Sequence, residues 1–110
     1  MDSSLPHSQR LTVIYRIEPG CLGPQGDSHI DTFCAFAQDS FDALALEYID
    51  WQLLPRQDNA AAEIQFKIDR KTLTRDQAEK YLRLFEEDVV EFESLMGDTL
   101  THLVEDYFRR

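Results

Sequence analysis

Seven apolar residues, Ala78, Tyr81, Leu82, Phe85, Val89, Phe92 and Met96, recur at spacings of three and four, which puts them on one side of an α-helix. A stripe of that length needs cover, so the rest of the chain must supply a surface for it to close. Thr74 marks the start, because Gln77 three residues on completes a capping box and Leu73 can pack on Ala78 as a hydrophobic staple. Gly97-Asp98 reads as an interruption, since glycine suits the position just after a helix and aspartate the N-cap of the next. One unbroken helix over 75–109 would run about 52 Å, against a radius of gyration near 13 Å for a chain of this size. Two helices are therefore expected, with a second pattern in Leu100, Leu103, Val104, Tyr107 and Phe108 after the break.

The upstream chain offers strands and one more helix. Residues 10–18 alternate, with Leu11, Val13, Tyr15 and Ile17 on one face and Thr12, Ile14 and Arg16 on the other, the period of a half-buried strand. Pro19-Gly20 ends it, and Gly23, Pro24 and Gly26 continue a turn region. Ser28 and Asp31 look like a capping pair opening a helix whose apolar face is Ile30, Phe33, Cys34, Ala37 and Phe41. A second strand is read over 43–54, where Ile49, Trp51 and Leu53 alternate with Asp50 and Gln52, then a hairpin loop over 55–62 and a third strand over 63–69 with Ile64, Phe66 and Ile68 inward.

The order β-α-β-β-α-α predicts an α+β two-layer sandwich, with a three-stranded, mostly antiparallel sheet carrying helices on one face. This order resembles the ferredoxin-like β-α-β-β-α-β arrangement with its last strand replaced by a helix. Such a likeness implies that strand one presents an open edge, through which, or through the C-terminal helices, a homodimer would form. At 110 residues the length fits one domain over 10–110 behind a loose arm over 1–9. That arm has no apolar core of a signal peptide and no run is long enough to span a bilayer, so a reducing cytoplasm is the expected compartment and Cys21 and Cys34 are expected to be free thiols.

The formal net charge is −10, and it is unevenly placed: 17–55 holds seven acids and 84–108 eight, with no Lys or Arg in either. A field of that sign repels nucleic acid and anionic lipid, whereas a basic protein is admitted. Glu86, Glu87, Asp88, Glu91 and Glu93 fall in what periodicity reads as the C-terminal half of a helix, where negative charge opposes the dipole. An arrangement that is locally unfavourable points to use against a basic partner, or to mimicry of nucleic-acid phosphates, with Glu86, Glu87, Glu91 and Glu93 as the contact residues. The plainer account is a solvated helix face.

A second class of function would use the loop 20–29. Gly20, Gly23 and Gly26 precede a helix N-terminus at Ser28, where backbone amides can hold an anion, although neither phosphate-loop spacing is present and Asp27 stands where a lysine would help. Cys21, His29 and Glu18 could form a thiol, a base and its orienter if the loop folds back. No metal site and no cofactor is expected: His29 and Cys34 lie about 140° apart on a helix, and no C-x-x-C or H-x-x-x-H pair occurs. The first expectation is a small non-enzymatic binding or regulatory module, and the alternative is a ligand-binding domain or thiol enzyme built on this loop.

Overall fold

The computed structural model describes residues 6, 9–44, 47–56 and 62–109, so the arm expected over 1–9 lies outside the described residues except for Pro6 and Gln9. Four strands form one sheet, β1 (Leu11–Ile17), β2 (Ile49–Pro55), β3 (Ile64–Ile68) and β4 (Lys71–Leu73), and three α-helices accompany them, α1 (Gly26–Asp42), α2 (Arg75–Arg83) and α3 (Val89–Phe108). The protein is α+β as expected, with a mixed sheet of four strands rather than three. Its order is β2-β1-β3-β4. β1 runs parallel to β2, Val13 facing Trp51, and antiparallel to β3, Val13 facing Phe66.

Strand one is therefore the middle of the sheet and not an open edge. The hairpin expected between strands two and three is absent too, because β1 lies between them; residues 57–61 of its loop lie outside the described residues. The parallel partner fits the connection, since only a long crossover such as α1 can return the chain to the same end of the sheet.

Alternation places the core as the sequence implies. Leu11, Val13, Tyr15 and Ile17 from β1, Ile49, Trp51 and Leu53 from β2 and Phe66 from β3 are buried in one cluster with Ile30, Phe33, Cys34, Ala37 and Phe41 of α1. Ala78 and Leu82 of α2 and Val89, Phe92, Met96 and Leu103 of α3 close it. Trp51 is held between rings, stacked parallel to Phe92 at 5.6 Å and tilted against Phe41 at 4.8 Å. Its indole Nε1 is buried and has no hydrogen-bond partner among the described residues, a cost offset here by the ring area removed from water.

Both sheet edges are blunted. β4 is three residues long and starts at Lys71, and short, charged edge strands resist pairing with another chain. On β2 the Gln38 side chain, sent over from α1, donates to Trp51 O at 2.8 Å and accepts from Leu53 N at 2.9 Å. One amide thereby takes the place of a neighbouring strand.

The C-terminal stretch breaks where periodicity does not show it. α2 starts at the Thr74–Gln77 capping box, as expected, but it stops at Arg83, and Gly97 lies inside the twenty-residue α3. Glu86 adopts a φ of +62°, Glu87 N donates to Leu82 O and Glu86 N to Arg83 O; together these are the two bonds of a Schellman motif with glutamate at the left-handed position. Asp88 then caps α3 by accepting from Val90 N at 3.2 Å. Gly97 is carried through by the burial of Met96 and Leu103 on either side, which outweighs its propensity cost of about 1 kcal/mol. The glycine and the glutamate are in each other's best places. A Cβ at Gly97 meets nothing within 4 Å, so exchanging the two preferences, Gly97→Ala with Glu86→Gly, is expected to stabilise the chain by about 1–2 kcal/mol. A urea midpoint at or below that of the parent would contradict this reading.

Candidate functional site

The loop before α1 spends its amides on itself. Pro19–Leu22 forms a 3-10 turn, and Cys21 N donates to Glu18 O, Gly23 N to Gly20 O, Gly26 N to Gly23 O and Ser28 N to Gln25 O. These four amides are thereby taken by carbonyls of the loop itself and are not offered to an anion. α1 begins at Gly26 rather than Ser28, its N-cap Gln25 makes no side-chain cap, and the Ser28 hydroxyl donates to Gln25 O at 2.8 Å. The expected Ser28–Asp31 capping pair does not form because Ser28 already sits in the first turn.

Each glycine of the loop has its own reason. Gly23 has a φ of +89°, and a Cβ on Gly26 would stand 1.8 Å from Pro19 O, while Gly20 faces open space. Gly26 is there so that the helix can start against the backbone of the turn, a close approach that only glycine permits. The pattern read as a cradle for a ligand is a tight packing of backbone on backbone.

The thiol group is not assembled. Glu18 accepts from Arg56 Nη1 at 2.9 Å, and His29 Nδ1 lies 3.3 Å from the Tyr107 hydroxyl, with the ring set edge-on to Tyr107 and Phe108. Base and orienter thus have partners other than Cys21. Cys21 is exposed and Cys34 buried, and burial, with a smaller contribution from the charge of Asp31, pushes the Cys34 thiol up to about 11. With two cysteines in the chain, a maleimide at neutral pH is expected to modify Cys21 alone until denaturant is added, when a second equivalent reacts. Mass spectrometry decides it, and double labelling of the native protein would contradict the burial of Cys34. Among the described residues no three His, Cys, Asp or Glu side chains group as metal ligands.

The acid cluster stands elsewhere than periodicity implied. Glu86 and Glu87 lie in the turn, Asp88 is the N-cap of α3 and Glu91 lies in its first turn, where the positive end of the helix favours carboxylates. The expected conflict with the dipole is thereby removed. Glu93 accepts from Arg75 Nη2 at 2.7 Å, and the Tyr48 hydroxyl is pushed up to about 12 by burial first and then by the charge and hydrogen bond of Glu87.

Acids that do oppose a dipole are at the other end. Glu105 and Asp106 occupy the last turn of α3, which carries no basic residue. Glu91, Asp98 and Glu105 are exposed and recur every seven residues, so they form one line about 20 Å long on the solvent side of the helix.

Beside that line lies a cleft missed at the sequence level. It has a volume of about 390 Å³, is open to solvent, and is lined by Cys21 of the Pro19–Leu22 turn and by Leu100, Thr101, Val104 and Glu105 of α3. The two walls come from opposite ends of the chain, which is why no local motif announces it.

No protein-family model matches the chain, and comparison with curated proteins and with solved structures finds no significant similarity. No helix among the described residues is long and apolar enough to cross a membrane.

Proposed function

We propose that the protein is a small cytoplasmic binding or regulatory module that acts by contact rather than by chemistry, and that its partner is a basic protein met through the acidic side of α3. The observation that supports this is the line Glu91, Asp98, Glu105 on a helix whose surroundings in sequence, 84–108, contain no Lys or Arg. At Glu105 the charge opposes the helix dipole, and the acids of 84–108 with no Lys or Arg among them sum to an unrelieved negative field. A cationic surface relieves both costs on contact, and such a contact is steered by charge and screened by salt. Of the four contact residues read from the sequence, Glu91 stays in the proposed surface, Glu86 is exposed in the turn before α3, and Glu93 is engaged by Arg75 and Glu87 by Tyr48.

A pull-down with the parent chain and with the triple variant Glu91→Gln, Asp98→Asn, Glu105→Gln tests the proposal. Basic proteins should be enriched by the parent, released as ionic strength rises, and lost from the neutralised variant. Enrichment that survives both high salt and neutralisation would sink the electrostatic contact. A melting-temperature shift with an anion or metabolite would instead support the ligand-binding alternative.

A further inference from the structure

The side of α3 next to the acidic line carries apolar residues that are only partly covered: Leu100 and Val104 lean on the core, and Phe108 meets His29 with one edge of its ring. Val90, Gly97 and Val104 repeat every seven residues, as do Thr101 and Phe108. Val90 is 57 % and Phe108 49 % exposed, and between them lies the cleft formed by Leu100, Val104 and the Pro19–Leu22 turn, with Glu105 on its rim. Among the described residues, nothing lies within 4 Å of where a Cβ on Gly97 would stand. A cleft walled by Leu100, Val104 and Cys21 with Glu105 on its rim, on a helix that also exposes Val90 and Phe108, offers the apolar seat and the flanking charge that an amphipathic helix needs.

We infer that this groove is the docking site of a basic amphipathic helix from a partner protein, which seats apolar side chains between α3 and the Cys21 turn and sets Lys or Arg against Glu105, Asp98 and Glu91. The inference rests on the acidic-surface reading above and adds to it the apolar half of the contact. Charge complementarity selects the occupant: a second copy of this chain would bring the same line of carboxylates to the groove, and like charges facing across an interface are unfavourable.

Cys21 is a reporter built into one wall, and Cys34, which is 4 % exposed, is an internal control. The full chain is alkylated with N-ethylmaleimide in the presence of a synthetic helical peptide that has a leucine stripe and lysines elsewhere. A peptide of the same composition reordered to remove the stripe is the comparison. At about ten times its Kd the striped peptide should slow modification of Cys21 roughly tenfold, by simple occupancy, and the reordered peptide should leave the rate unchanged. Thr101→Arg, an exposed substitution that adds a cation to the cleft, should weaken the striped peptide about tenfold, and Glu105→Gln should weaken it less without altering the melting temperature.

Equal, salt-sensitive binding of both peptides with no protection of Cys21 would overturn the groove and leave the acidic-surface reading standing. Failure of both peptides to bind overturns the groove and counts against that reading as well. Protection of Cys21 by raising the concentration of the chain itself, with a doubled mass in solution, would give the groove to a second copy and overturn the assignment.

Discussion

Gly26→Ala is expected to cost about 3 kcal/mol or more, because its Cβ would stand 1.8 Å from the Pro19 carbonyl oxygen and 2.6 Å from its carbon. Both obstacles are backbone, so no rotamer change relieves them. The first turn of α1 would have to unwind or the Pro19–Leu22 turn would have to shift. Either movement disturbs Leu22 and Ile30, which are buried in the same core. Gly20→Ala is the matched control: nothing lies within 4 Å of its Cβ, so it should be neutral or slightly stabilising through loss of unfolded-state freedom. Urea unfolding of the two variants side by side decides the matter. Equal midpoints would show that the close approach is not what fixes glycine at 26.

Gln38→Ala is expected to cost about 2–3 kcal/mol, more than an ordinary exposed polar substitution, because it leaves Trp51 O and Leu53 N on the β2 edge without their partner. A second consequence separates it from a simple loss of stability. With the amide gone, β2 offers an open edge next to the apolar residues of the core, and the variant should associate at concentrations where the parent chain does not. Gln38→Glu restores the acceptor for Leu53 N but sets a carboxylate against Trp51 O, and should recover only part of the loss. Light scattering with chemical denaturation reads both effects. A monomeric Gln38→Ala of parental stability would contradict the role given to this side chain.

The strands and the core were legible because alternation is a property of the residues themselves: Val13 and Tyr15 point one way and Thr12 and Arg16 the other whatever stands beside them. Which strand stands beside which was not legible, since alternation carries no information about neighbours, and β1 was misread as an edge. β4 escaped because three residues give no period to detect. The break between α2 and α3 was hidden because Phe85 and Val89 keep the spacing of a continuous helix across it, while Gly97 advertised a break that burial overrides. Among candidate sites, Gly26 was recognised as special and its reason missed, for the atom it avoids belongs to Pro19. The cleft joins Cys21 to Leu100, a separation at which no spacing rule operates.

The middle position of β1 bears on how the chain acquires its structure. Leu11 pairs with Ile49 on one side and with Ile68 on the other, so the strand made first has both neighbours only once residues 64–68 are made. Such distant pairings must close long loops before they are rewarded, and they slow folding relative to chains built from local contacts. Until residues 64–68 have been made, β1 can pair only with β2 and keeps its other edge open. The face bearing Val13, Tyr15 and Ile17 is shared with α1, α2 and α3, so its closure needs the helices that follow β3 in sequence as well.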